Sequence, residues 1–189
     1  VSRFEAKAHA RRTSFGVWGD GNLGFITSLI LKKKYPDSKV YVFGKTRYKL
    51  DHFSFVDEVF QIDQIPDDIF IDHAFECVGG MGSQSAIDQI IDIIHPEGSM
   101  AILGVSENPI EINTRMVLEK GLTIIGSSRS GRKDFADTVA FLKDFPDVTD
   151  YLETLVGSVN EVRSIGDFIE VFEKDLTNSW GKTVMKWSI

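Results

Sequence analysis

Gly19, Gly21 and Gly24 fall in the stretch FGVWGDGNLG at the spacing G-x-G-x-x-G, and their flanks constrain the fold more than any other feature. The spacing alone says little, because 16 of the 189 residues are glycine. Context decides its meaning. Phe15 to Trp18 form a compact apolar run that reads as a strand. From Asn22 to Tyr35 the apolar positions Leu23, Ile26, Leu29 and Ile30 recur at helical spacing. Lys32, Lys33 and Lys34 fall in the last turn, where the helix dipole favours cations, and Pro36 stops the helix. Lys39 to Phe43 then read as a second strand, completing a strand-loop-helix-strand unit over 15–44.

The alternation continues. Residues 59–62 (VFQI) read as a third strand and 69–78 (IFIDHAFECV) as a longer buried one, with Gly79, Gly80 and Gly82 marking the turn after it. Residues 83–95 read as a helix with Ser83 as its N-cap and Pro96 just beyond its end. Residues 99–105 and 122–127 supply a fifth and a sixth strand. Strands alternating with helices in this way predict α/β architecture: a doubly wound parallel sheet of Rossmann type, with helices on both faces. A lead-in helix is expected over 4–10 (FEAKAHA), so the divisions are 1–13, 14–131 and 132–189. The last of these holds amphipathic helices at 135–145 and 165–176 and an apolar-rich strand at 181–189. These elements follow a sheet that is already complete, so they look like pieces that pack against something else.

The glycine loop now has a physical reading. Gly19 permits the tight turn out of the strand, Gly21 lets backbone approach a pyrophosphate, and Gly24 allows close helix packing. Asp20, Asn22 and Leu23 fill the loop between them, and free N–H groups at the helix start supply an anion site. The bland alternative is a glycine-rich turn without a ligand. A site for NAD usually ends the second strand with Asp or Glu, which accepts the ribose hydroxyls. Here Gly44 takes that place, and Lys45, Thr46 and Arg47 follow. The missing carboxylate removes repulsion toward a 2′-phosphate, and two cations with a hydroxyl can hold one. That pattern points to NADP(H), against the alternative of a solvated basic loop.

Other groups carry less. Cys77 and Val78 end the fourth strand, where a dinucleotide crosses the sheet, and Gly104 ends the fifth. Packing is the competing account, and a lone cysteine is more often inert than nucleophilic. Ser127, Ser128, Arg129 and Arg132 follow the sixth strand and either meet a nicotinamide ribose or phosphate or solvate a loop. His9, His52, His73 and His95 fall in separate elements, and His73 and Glu76 are three apart on a strand, so no metal pair is expected. Gly181-Lys182-Thr183 resembles the end of a P-loop, but position 176 is Leu and the strand-to-helix setting is missing.

A net charge of −7 argues against nucleic acid as the main partner. No apolar run reaches membrane-span length and no signal peptide is expected, so a cytoplasmic location is predicted. The single cysteine fits a reducing compartment and rules out an intrachain disulfide. The chain opens on Val1 without Met, which suggests a processed product or a fragment.

At this point GVWGDGNLG, FECVGG, HPEGSMAILGV, LTIIGSSRSGRKDF and WGKTVMKW together resemble the cofactor-domain half of medium-chain, zinc-dependent alcohol and polyol dehydrogenases. More narrowly, GVWGDGNLGFITSLILK with the NADP-like second strand is similar to bacterial ribitol-5-phosphate dehydrogenases. The resemblance implies reduction of ribulose 5-phosphate by NADPH, supplying CDP-ribitol for teichoic acid or capsule. It also implies an N-terminal GroES-like catalytic domain carrying zinc ligands, none of which can be assigned in this chain. Residues 132–189 are then a segment returning to that domain, and the chain alone is expected to bind cofactor without turning over substrate. A sugar-phosphate or polyol substrate would reach it through the missing lobe. The resemblance further implies a homodimer paired along the strand near Leu122–Gly126. The rivals are another polyol or alcohol dehydrogenase preferring NADH, and a nucleotide-sensing Rossmann module that catalyses nothing.

Overall fold

The computed structural model describes residues 1–5, 8 and 11–188. They form two compact units, residues 1–130 and 131–189. The lead-in helix α1 is described over Ser2–Glu5; the rest of the helix predicted over 4–10 falls largely on residues 6, 7, 9 and 10, outside the described residues.

The first unit is a six-stranded parallel sheet built from β1 (Ser14–Trp18), β2 (Lys39–Gly44), β3 (Glu58–Gln61), β4 (Ile71–Glu76), β5 (Ile94–Ile102) and β6 (Thr123–Gly126). Their order is β3-β2-β1-β4-β5-β6. Between β1 and β4 the winding direction reverses, and the carboxyl ends of these two strands open a crevice. Crossovers are made by α2 (Asn22–Lys34), the short α3 (Arg47–Leu50), α4 (Ser83–Ile93) and α5 (Thr114–Glu119). Because helices cover both faces, central strands must be apolar on both sides. Phe15, Val17 and Trp18 of β1 are fully buried, as are Val40, Val42 and Phe43 of β2. Trp18 and Phe43, paired in register across β1 and β2, stack with ring centroids 4.0 Å apart, and Phe60 of β3 extends the stack at 5.5 Å from Phe43. This aromatic layer lies directly under the crevice.

Several boundaries and faces differ from the sequence reading. On α2 the buried face is Gly24, Phe25, Ser28, Leu29 and Leu31, while Leu23 and Ile26 are 43% and 37% exposed. Leu23 lies across the helix from Phe25 and Ile26 on its flank, and the Phe25 ring, which meets Phe53 and Phe55, fixes the inward side. Ser83 is not an N-cap: Gly82 holds that position, and the Ser83 hydroxyl donates to Glu76. Strand β5 starts at Ile94 rather than 99 and ends at Ile102. Its ladder pairs Ile94 with Ile71, skips a bulge with Glu97 at φ 65°, and resumes at Ser99. Pro96 therefore sits in the bulge, where no ladder bond is needed from its nitrogen. Strand β4 is shorter than predicted: it starts at Ile71, and beyond Cys77 the Glu76 carboxylate takes the N–H groups of Val78 and Gly79, so the ladder goes no further.

The second unit holds α6 (Arg132–Asp144), α7 (Val148–Glu153), β7 (Val156–Val162), α8 (Ile165–Thr177) and β8 (Lys182–Trp187). The sequence reading missed α7 and β7. Strands β7 and β8 pair in parallel, so Lys182-Thr183 belongs to a strand and not to a phosphate loop. Ser164 caps α8 by accepting from Asp167 N, and the Asp167 carboxylate accepts from Ser164 N at 3.0 Å. Val171 is buried, while Phe172 and Trp187 are about half exposed. Phe168 packs between Phe172 and Trp187, with ring centroids at 4.7 and 5.8 Å.

Candidate dinucleotide-binding site

The crevice above β1 and β4 is a cavity of 240 Å³ lined by Trp18, Gly19, Asp20, Gly21, Phe43, Gly44, Lys45, Ile62, Cys77, Val78, Gly82, Ser85, Ala86 and Gln89. Its floor follows from the sheet. Cys77 N donates to Trp18 O at 2.8 Å, carrying the β1–β4 ladder one residue past the strand ends. Gly19 then leaves β1 at φ 126°, a conformation that L side chains rarely adopt. A Cβ there would stand 2.8 Å from Cys77 O, so any other residue would also push the loop off the floor. At Gly24 a Cβ would come 1.9 Å from Gly19 O. The third glycine thus serves the closeness of α2 to its own entry turn rather than to the sheet. Over Gly21 a Cβ would meet nothing within 4 Å, which leaves open space above the first turn of α2. An anion can approach the helix N-terminus there.

The sequence-derived residues divide by position. Gly19, Asp20, Gly21, Gly44, Lys45, Cys77 and Val78 line the cavity. Asn22, Leu23 and Gly24 open α2 beside it, and Thr46 caps α3. Arg47 stands on α3 with its Nε 3.0 Å from Asp51, so of the two cations only Lys45 belongs to the lining. Gly104 N donates to Glu76 Oε2 at 3.1 Å, which ties the β5 end to the β4 end. Ser127 and Arg129 follow the edge strand β6 and lie outside the lining, with Arg129 at φ 60°.

Cys77 contributes through its backbone. Burial pushes its thiol up to about 12, against a hydrogen bond to Thr27, so it is a protonated packing group at neutral pH. Among the described residues no group of three or more His, Cys, Asp or Glu side chains is placed to hold a metal ion. These residues do not fit a zinc site.

Sequence reasoning missed the two residues that brace the crevice. Glu76 is fully buried, and its carboxylate accepts from Val78 N, Gly79 N, the Ser83 hydroxyl and Gly104 N at 2.9 to 3.1 Å. Its signal was present as an acid in a strand buried throughout, where a charged group is costly unless its oxygens are satisfied. Gln89 accepts from Trp18 Nε1 at 3.1 Å and donates to Ile62 O at 2.8 Å, joining α4 to two walls of the cavity. Nothing local marks it, because both partners are distant in sequence.

Comparison with known proteins bears on the same residues. A family model described as zinc-binding dehydrogenase matches residues 47–144. The ribulose-5-phosphate reductase of Bacillus spizizenii is 68% identical over all of this chain and 55% of that protein. Ribulose-5-phosphate reductase 1 of Staphylococcus aureus is 62% identical over 99% of this chain and 55% of its own length. The chain thus spans little more than half of these relatives. A crystal structure of S. aureus TarJ in complex with NADPH superposes with a TM-score of 0.95 at 62% identity, covering 100% of this chain and 59% of that one. With a matching parallel fold and a family model over more than half its residues, the chain belongs to the zinc-binding dehydrogenase family.

Proposed function

We propose that this chain is the cofactor-binding part of an oxidoreductase that uses NADPH to reduce D-ribulose 5-phosphate to D-ribitol 5-phosphate, for CDP-ribitol and hence teichoic acid or capsule synthesis. One observation carries the reading. Strand β2 itself ends in Gly44 rather than an acid, Lys45, Thr46 and Arg47 follow it with Lys45 in the crevice lining, and 62% identity links the chain to a protein crystallised with NADPH. In the proposal, N–H groups at the start of α2 hold the pyrophosphate, and the side chains of Lys45, Thr46 and Arg47 hold the 2′-phosphate. The apolar surfaces of Ile62 and Val78 cover the adenine ring. Bound NADPH supplies the hydride equivalent that the carbonyl substrate accepts.

Residues 14–131 are the dinucleotide-binding domain in this reading, and 132–189 return to a catalytic domain that also carries the substrate contacts and the zinc. Edge strand β6 pairs across a homodimer axis, and the enzyme works in the cytoplasm. No helix of the described residues is long and apolar enough to cross a membrane. Calorimetric titration of this chain with NADPH and with NADH tests the cofactor, and turnover of ribulose 5-phosphate by the whole protein tests the substrate. Tighter NADPH binding that weakens in Lys45→Ala supports the reading. Preference for NADH sinks it in favour of another polyol dehydrogenase of the family.

A further inference from the structure

The glycine loop and the basic loop are joined by one side chain. Asp20, between the first two glycines, reaches the end of β2, where its Oδ2 accepts from Lys45 N at 2.9 Å and from Thr46 N at 2.7 Å. Its position also explains Gly44. A Cβ at Gly44 would stand 2.6 Å from the Asp20 Cβ and 2.7 Å from Leu50 Cδ2. The acid that ends the second strand in an NAD site and an Asp20 side chain in this place therefore compete for the same space.

We infer that Asp20 is a positioning residue for cofactor selection: it holds the backbone of Lys45 and Thr46 in the phosphate-ready arrangement and does not itself bind the dinucleotide. The inference rests on the NADPH reading above and deepens it. A bare carboxylate beside a 2′-phosphate would repel it. One whose oxygen accepts from two N–H groups has much of its charge satisfied, and in exchange it fixes the loop that carries the cation and the hydroxyl. A loop ordered before binding loses less entropy on binding, so the gain appears only with a ligand that uses the loop. NADPH uses it and NADH does not.

The test is calorimetric titration of this chain and its Asp20→Ala and Asp20→Asn variants with NADPH and NADH, together with amide exchange at Lys45 and Thr46. Asp20→Ala is expected to weaken NADPH at least tenfold and NADH less than threefold, with exchange at both amides accelerated. Asp20→Asn keeps an acceptor oxygen and is expected to restore NADPH affinity to within threefold of wild type. The NADH affinity of the same sample reports that the crevice is folded. Equal losses for both cofactors, or no loss in Asp20→Ala, overturn the inference while leaving the NADPH preference of the wild type standing. A wild type without that preference overturns both, because the clamp then serves no phosphate.

Discussion

Replacing Gly24 and Gly21 separately with alanine should divide folding from binding within one motif. In Gly24→Ala the new Cβ would sit 1.9 Å from Gly19 O, where ordinary contact begins at 3.4 Å, so turn and helix must separate by about 1.5 Å. Both sides of this contact are backbone, and α2 is pinned from beneath by Phe25, Ser28 and Leu29. Overpacking of this kind costs up to ~3 kcal/mol, and the better helix propensity of Ala returns ~1 kcal/mol, leaving a net loss of ~2 kcal/mol. In Gly21→Ala nothing lies within 4 Å and the backbone is extended at φ −96°, so the fold should tolerate it. The poorer N-cap and the stiffer unfolded chain nearly cancel, for a stability change within ~0.5 kcal/mol. The same methyl, however, occupies the approach to the α2 N-terminus, and NADPH affinity should fall at least tenfold, ~1.4 kcal/mol. Urea unfolding by circular dichroism, with amide exchange on the β1 and α2 peptides to separate the two units, measures the first quantity; calorimetry measures the second. Equal stability of the two variants, or full NADPH affinity in Gly21→Ala, would refute the division.

Three further outcomes follow from the packing. Lys120 Nζ donates to the carbonyls of Ile91, Asp92 and Ile94 at 2.6 to 3.0 Å, capping the end of α4, so Lys120→Met should cost ~1.5–3 kcal/mol in urea unfolding. Burial would raise the Asp72 carboxyl, but the Thr13 hydroxyl, the N–H groups of Thr13 and Ser14 and the Arg11 charge hold it below its ordinary 3.8. A depressed folded pKa adds stability above the unfolded value and loses it as pH falls through the folded one; the deficit of Asp72→Asn at pH 7 should therefore shrink below about pH 4 in an acid-unfolding series. Cys77, with its thiol pushed up to about 12, should resist iodoacetamide at pH 8 in the folded chain and react only after unfolding, as read by mass spectrometry.

Local chemistry made much of this protein legible in advance. The apolar runs of β1 and β2, the glycine spacing and the helix-stopping Pro36 act over a few residues, so the alternation of elements and the parallel sheet could be read directly. The basic residues after Gly44 were visible as a local cluster, but that Lys45 lines the crevice while Arg47 pairs with Asp51 came from the fold. Elements with weak local signals escaped: α5 and α7 are six residues each, and β7 is mostly exposed.

What only the tertiary structure decided are the relations between distant segments. Leu23 and Ile26 have the right spacing for a buried stripe, yet the face of α2 that turns inward is chosen by Phe25 meeting Phe53 and Phe55. Glu76 is an acid in a buried strand until the fold brings Gly104 N and the Ser83 hydroxyl to it. Asp20 reads as a loop residue until the fold returns Lys45, 25 positions along the chain, to its side. A sequence determines periodicity and turns because these depend on neighbours along the chain. A buried carboxylate or a loop clamp depends on partners that only the completed sheet places within hydrogen-bonding distance.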